Sequence, residues 1–197
     1  MPQITEQEFE RLPLRVHTFL ADVPLHDAWV VDLPRSRPAV TLDEFLKVTN
    51  ARLYTLSPTA RALLNLRFFI GGLLGWDSTS PETVPETFAD RLTAEDRASS
   101  LAPAGRPDGL FRIVYQFENE QLSEVINRTA HAGVLSALVE TATSYRFYFA
   151  VYVREVGPLT PLYMAMIDPF RKLIVYPSLL ESVEANWKRT IGRHAVG

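Results

Sequence analysis

The last third of the chain constrains its fold more than any other part. A polar-aromatic run over residues 144–156 is typical of a strand, because side chains at alternate positions form two distinct faces. Gly157 and Pro158 then provide a turn, and a long apolar segment follows from residue 160 to residue 191. A sheet that ends in one long helix is the order expected where the helix lies across a curved sheet. Such an arrangement often encloses an apolar cavity, so this segment predicts a fold and a place for a ligand.

The apolar pattern predicts an antiparallel meander in front of that helix. From Gly109 onwards, apolar residues recur with a period of two, which indicates half-buried strands. Short turns separate these strands, and consecutive strands joined in this way pair antiparallel. The predicted strands span residues 111–117, 122–127, 131–140 and 145–153, and an earlier strand spans 28–33.

Two shorter helices are predicted after the first strand. Thr41 and Glu44 have the spacing of a capping box, so a helix of about three turns begins there. Ser57 followed by Pro58 marks a second helix start, and the apolar residues after it predict a largely buried helix. The fold class is therefore α+β: a curved antiparallel sheet that grips a long C-terminal helix, with the helices packed on one face.

The chain length fits a single domain over residues 1–197. Residues 1–27 are interpreted as an irregular lead-in that packs on the domain. Residues 77–109 are rich in proline, serine, threonine and acidic residues, which predicts a long surface loop with a short helix near 85–92.

Two prolines interrupt the C-terminal helical pattern. Pro169 and Pro177 each remove a backbone donor and clash with the carbonyl four residues earlier, at a cost near 3 kcal/mol inside a helix. We therefore expect kinks near Asp168-Pro169 and again at residues 176–178. The helix should wrap the sheet as a proline-kinked segment rather than as a straight rod.

Composition excludes several classes of function. The net charge of −3 and the pI near 5.8 offer no basic field for nucleic acid. The longest apolar run, 66–76, is shorter than the about 20 residues of a membrane span. There are no cysteines, and the N-terminus lacks the pattern of a secretory signal, so a cytoplasmic location is expected. The four histidines are scattered, and no phosphate or dinucleotide motif is present, so neither metal nor cofactor is predicted.

One segment carries a resemblance to a known family. Its features are the aromatic Tyr163, the Pro169-Phe170 step, the Leu173-Ile174-Val175 run and Leu179. Residues 162–179 are similar to the C-terminal helix of a bacterial domain-of-unknown-function family in the START-like, or helix-grip, superfamily, which includes polyketide cyclase-like and lipid-transfer proteins. That family often has a histidine where this chain has Arg171, so no role of such a histidine is carried over.

The resemblance implies that a small apolar or amphipathic molecule binds between the sheet and the C-terminal helix. Burial of apolar ligand surface would drive binding, and a few polar groups would orient the ligand. Arg171, if it points inward, could clamp a carboxylate or phosphate. The same aromatic residues could instead simply fill the core. The predicted ligand-binding residues are Tyr115, Phe117, Tyr145, Phe147, Tyr163, Ile167, Phe170 and Arg171.

Two other functions stay open at this point. If the second and third strands of the meander form a hairpin, Glu124 and His131 come close, and a carboxylate beside an imidazole is how a general base is made. This pair predicts a cyclase-like or hydrolytic enzyme, or else a simple cross-strand ion pair. A homodimer or ligand-free interaction module is the other alternative, with Tyr148 and Tyr152 or the helix around Trp187 as its exposed surface.

Overall fold

A six-stranded antiparallel sheet forms the centre of the computed structural model, which describes residues 3–35, 38–49, 86–127 and 130–194. The order across the sheet is β1-β6-β5-β4-β3-β2, so the first strand pairs with the last one. The predicted strands are confirmed with small shifts at their ends, and β2 is an addition. The strands are β1 (Leu25–Pro34), β2 (Pro107–Asp108), β3 (Phe111–Gln116), β4 (Glu120–Ile126), β5 (His131–Glu140) and β6 (Ser144–Arg154).

The helices flank this sheet. They are α1 (Glu6–Glu10), α2 (Val16–Phe19), α3 (Leu42–Thr49), a 3-10 helix (Phe88–Arg91), α4 (Ala94–Ser99), α5 (Leu159–Phe170), a π-helical turn (Arg171–Val175) and α6 (Tyr176–His194). The predicted start of α3 is confirmed, because the Thr41 hydroxyl accepts a hydrogen bond from the N–H of Glu44 at 3.3 Å. The second predicted helix, after Ser57, lies outside the described residues. The α+β fold class is confirmed, and the sheet with its long C-terminal helical segment is consistent with a helix grip.

Both faces of the sheet are covered, which corrects the prediction that helices pack on one face only. Tyr145, Phe147 and Phe149 of β6 point towards α3, α5 and α6, in the alternation that the sequence predicted. Tyr148 and Tyr152 point to the opposite face, where they are buried under the N-terminal helices instead of exposed. The predicted interaction surface at these two tyrosines is therefore wrong.

The N-terminal lead-in and the long loop supply that second cover. Residues 1–27 were expected to be irregular, but they contain α1 and α2, whose Phe9 and Val16 are fully buried. Residues 86–109 contain the 3-10 helix, α4 and β2, and Phe88 is buried as well. The 3-10 helix confirms the short helix predicted near residues 85–92. The others have four to six residues each, which is too short for the apolar periodicity that identifies a helix in a sequence.

The C-terminal helical segment is continuous from α5 to α6. Neither predicted kink position, at Pro169 or at Pro177, ends the helix, and one π-helical turn lies between the two prolines. The N–H of Tyr176 bonds to the carbonyl oxygen of Arg171, five residues earlier, so each turn is wider here than in an α-helix. A wider turn accommodates the missing proline donors without ending the helix.

Asp96 at the start of α4 couples stability to pH. Arg15 binds its carboxylate through two N–H groups, each at 3.0 Å. This bond, followed by those from Thr93, lowers the pKa of Asp96 from 3.8 to about 2 although burial opposes the shift. A carboxyl group with a lowered folded pKa contributes stability that is complete above its unfolded pKa and is lost as pH falls towards its folded pKa.

We expect the wild-type protein to lose more stability between about pH 4 and about pH 2 than Asp96→Asn does. Urea denaturation at a series of pH values measures this difference. Glu95→Gln removes the same charge from an exposed position of the same helix and serves as the control. If the wild type and Asp96→Asn lost the same stability on acidification, Asp96 would not be the source of the pH dependence.

Candidate functional site

Glu124 and His131 form a buried pair across β4 and β5. Glu124 lies opposite Gly133 and His131 opposite Ile126, so the two side chains meet diagonally on one face. His131 Nε2 is 2.8 Å from Glu124 Oε2, and because a carboxylate only accepts, the imidazole donates. The sequence predicted this proximity. The His131 side chain is 0% exposed and that of Glu124 6%, so the pair lies inside the protein and not on its surface.

The pair anchors the 3-10 helix to the sheet. Glu124 Oε2 also accepts a hydrogen bond from the backbone N–H of Phe88 at 2.8 Å. The Phe88 ring stacks on His131 with a centroid distance of 3.8 Å. Gly133 makes room for this stack, since a Cβ atom there would lie 3.3 Å from Phe88. Phe88 covers one face of the His131 ring, and both residues are buried, so the geometry supports an anchoring function for the pair.

Glu120 repeats this arrangement at the other end of β4. Its carboxylate accepts a hydrogen bond from the Tyr115 hydroxyl at 2.7 Å and another from the backbone N–H of Arg15 at 2.9 Å, next to the start of α2. Burial raises the pKa of Glu120, and these hydrogen bonds oppose the rise. Glu120 thus holds the start of α2, and Glu124 holds the 3-10 helix, on the same face of the sheet. Sequence analysis missed Glu120, although its four-residue spacing from Glu124 places both on one side of a strand.

The predicted ligand-binding residues do not share one site. Tyr115 and Phe117 stack on each other at 4.6 Å on the face covered by the N-terminal helices, away from α5 and α6. Phe170 is 47% exposed on the outside of α5. The face below the C-terminal helices holds the remaining predicted residues, which are Tyr145, Phe147, Tyr163, Ile167 and Arg171.

Aromatic contacts fill the described space below α6. Tyr145 and Phe45 both pack against Trp187, at centroid distances of 6.0 and 5.3 Å. The Trp187 ring is buried, and its Nε1 donates to the Pro34 carbonyl at 2.8 Å. Trp187 therefore offers no exposed surface of the kind expected from the sequence. This end of the helix is a packed core.

Arg171 lies nearer the start of the C-terminal helical segment, at the π-helical turn. Its side chain points inward, which was one of the two orientations expected from the sequence. Its Nε donates to the Tyr176 hydroxyl at 2.6 Å. Its two terminal nitrogens bind Asp168 at 2.9 Å and Asp27 of β1 at 3.3 Å. The guanidinium also lies 5.1 Å from the centre of the Tyr176 ring, a cation–π distance. One arginine therefore ties the helical turn to the edge strand.

Asp168 extends this network to the surface. His26 Nε2 lies 2.9 Å from both oxygens of Asp168, and Lys172 Nζ is 3.3 Å from one of them. Burial favours a higher pKa for Asp168, but the hydrogen bond from His26 and the nearby positive charges outweigh burial and lower its pKa. Asp168 is therefore held as a carboxylate at neutral pH.

Asp27 lies deepest in the network. Its side chain is 0% exposed, and burial raises its pKa, although Arg171 and His26 pull the pKa down. Oδ2 faces Arg171, whereas Oδ1 has no hydrogen-bond partner among the described residues. Trp29 follows two positions later on the same face of β1, and its buried Nε1 has no described partner either. One acceptor and one donor are thus left unpaired in the same region.

We call this region the Arg171 site, defined by Asp27, Trp29, Asp168, Arg171 and Tyr176. Trp29 packs edge-on against Tyr176 at 5.7 Å, and Arg171 bonds both to that tyrosine and to Asp27, so contacts link the residues of the site. Sequence analysis missed Asp27 and Trp29. The available signal was a carboxylate directly before the apolar run of residues 28–31 in β1.

Comparison with protein families adds one finding. A family model described as protein of unknown function (DUF2867) matches residues 19–178. Neither the curated proteins nor the solved structures include a match. Over the described ranges, no three histidine, aspartate or glutamate side chains gather as a possible metal site. No helix of the described chain is both long enough and apolar enough to cross a membrane.

Proposed function

The chain belongs to the DUF2867 family, and we propose that it is a START-like protein that binds a small amphipathic molecule between its sheet and its C-terminal helical segment. The observation that carries this proposal is the pair of buried unpaired atoms in the Arg171 site, Asp27 Oδ1 and Trp29 Nε1. Native proteins pair nearly all buried polar groups, and each unpaired one costs about 1–3 kcal/mol. A bound group that pairs with both atoms would remove that cost.

The two atoms specify the chemistry of the polar end of the ligand. Asp27 Oδ1 requires a donor and Trp29 Nε1 requires an acceptor, which a hydroxyl or a primary amide supplies. Arg171 and Lys172 are already paired with Asp27 and Asp168, so neither cation is left over to balance a ligand carboxylate in the Arg171 site. The polar end is therefore neutral, and a phosphate or carboxylate clamp by Arg171 is not favoured.

Apolar side chains around the Arg171 site would hold the rest of the molecule. Tyr163 and Met164 of α5 are buried in the same apolar cluster as Trp29, and Ile167 packs against it. Phe149 lies opposite Trp29 in the sheet and contacts Tyr176 at 5.1 Å. Among the residues predicted from the sequence, Tyr163, Ile167 and Arg171 thus belong to the proposed site, whereas Tyr115 and Phe117 do not. A cytoplasmic location is part of the same proposal.

The test uses 1-octanol, which carries a hydroxyl on an apolar chain, and octanoate, which replaces the hydroxyl by a charge. We expect 1-octanol to raise the melting temperature of the wild-type protein and octanoate to have a smaller effect. Trp29→Phe removes the Nε1 donor but keeps an aromatic ring. It should weaken 1-octanol binding about tenfold, the equivalent of one hydrogen bond.

Trp187→Phe is the matched control, because the Nε1 group of Trp187 already donates to Pro34. This variant should lose some stability but bind 1-octanol as the wild type does. Equal binding by the wild type and Trp29→Phe, or no binding at all, would overturn the proposal. In that case a buried water would be the partner of the two atoms.

A further inference from the structure

An exposed apolar stripe runs along α5 and into the π-helical turn. Its five large side chains are between 44% and 76% exposed, whereas large apolar residues elsewhere on α5 are buried or half-buried. No charged residue occurs from Val156 to Ile167. The α5 stripe consists of Leu159, Leu162, Met166, Phe170 and Leu173.

The positions of the stripe form one face of the helix. With 3.6 residues per turn, the four positions on α5 itself, at offsets of zero, three, seven and eleven residues, fall within an arc of about 80°. Leu173 follows them on the wider π-helical turn. From Leu159 to Leu173 the stripe is about 20 Å long, since each residue advances the helix by 1.5 Å. This spacing is the one that helices use where they pack along each other.

The spacing of the stripe residues is the same when it is counted from either end. Met166 is at the centre, Leu162 and Phe170 lie four positions on either side, and Leu159 and Leu173 lie seven positions away. In an interface with twofold symmetry, residue i of one copy contacts residue j of the other, and j contacts i. An antiparallel pair of α5 helices would therefore place Leu162 on Phe170 and Met166 on its own copy, with Leu159 facing the π-helical turn that carries Leu173.

We propose that the α5 stripe is the interface of a homodimer, with the twofold axis passing through Met166. The stripe carries no charge up to Ile167, and the charged residues after it, Asp168, Arg171 and Lys172, are paired with one another. The stripe therefore needs no charge complementarity in its partner, and a second copy offers the same apolar side chains. At about 200 Å² for a large side chain, the five residues expose on the order of 500 Å². That is below the about 800 Å² per partner of a standard interface, so we expect a weak dimer whose population depends on concentration.

Sedimentation equilibrium of the full chain at increasing concentration tests the dimer. We expect a monomer–dimer equilibrium in the wild type and at least a 100-fold weaker association in Met166→Lys, which brings two ammonium groups together at the axis. Leu110→Lys is the matched control, because Leu110 is 47% exposed on a turn and Met166 is 44% exposed. The control should dimerise as the wild type does.

A second measurement fixes the geometry. The chain contains no cysteine, so Met166→Cys introduces a single thiol. A short bismaleimide should link Met166→Cys into a dimer, whereas Leu110→Cys should stay a monomer. The proposal is overturned if the wild type is a monomer up to about 100 μM, or if Met166→Lys dimerises normally. Binding of the monomer to phosphatidylcholine vesicles, lost in Met166→Lys, would overturn it as well and assign the stripe to a lipid surface.

Discussion

Replacing Arg171 by methionine is expected to destabilise the protein by about 3–5 kcal/mol, because the change leaves Asp27 as a buried carboxylate without its cation. The Asp27 side chain is 0% exposed, and the imidazole Nε2 of His26 is 3.9 Å away. Methionine keeps most of the volume of the arginine side chain, so the loss of stability reflects the missing positive charge. Urea denaturation at neutral pH measures it.

The pH dependence of Arg171→Met separates this cause from a packing defect. Without Arg171 the pKa of Asp27 should rise above its already raised value. A native state that binds a proton more tightly than the unfolded state gains stability as pH falls. The deficit of the variant should therefore shrink in acid, while a packing defect would persist at every pH.

Two further variants complete the experiment. Asp27→Asn combined with Arg171→Met removes the whole pair and should recover most of the lost stability, because a buried ion pair can be replaced by neutral groups at little cost. Arg146→Met breaks an exposed pair with Asp32 and should cost no more than about 1 kcal/mol. If Arg171→Met were no more harmful than Arg146→Met, Arg171 would not be the support of Asp27.

Distance along the chain decides which contacts the sequence could predict. Glu124 and His131 are seven residues apart on adjacent strands, so the hairpin itself brings them together. Asp27 and Arg171 are 144 residues apart, and they meet only because β1 closes the sheet against β6 below the C-terminal helical segment. The periodicity of apolar residues within single elements does not show that Asp27 and Arg171 are in contact.

The two faces of the sheet show the same difference. The alternation of β6 correctly predicted that Tyr145 and Phe147 share a face, because a strand has a period of two. It could not show that Tyr148 on the other face is buried, since the cover comes from α1, α2 and the 3-10 helix. Whether an outward face meets water or protein depends on segments distant in sequence.

The other large expected effect is that of Glu124→Leu, which should destabilise the protein by about 2–6 kcal/mol. Glu124 Oε2 accepts hydrogen bonds from the N–H of Phe88 and from Nε2 of His131, each at 2.8 Å. Leucine accepts none, so two buried donors lose their partner at about 1–3 kcal/mol each. Urea denaturation measures the total loss.

Hydrogen exchange shows which part of the structure loses stability in Glu124→Leu. Because Glu124 anchors the 3-10 helix, the amide of Phe88 should exchange faster in Glu124→Leu by more than the drop in global stability explains. Glu124→Gln keeps an acceptor oxygen in the same place and should retain most of the protection. Glu184→Leu, which breaks an exposed pair with Lys188 on α6, should change stability by at most about 0.5 kcal/mol. Unchanged exchange at Phe88 in Glu124→Leu would show that the cover stays on the sheet without Glu124 and would leave the buried pair free for the acid–base function that its sequence spacing first indicated.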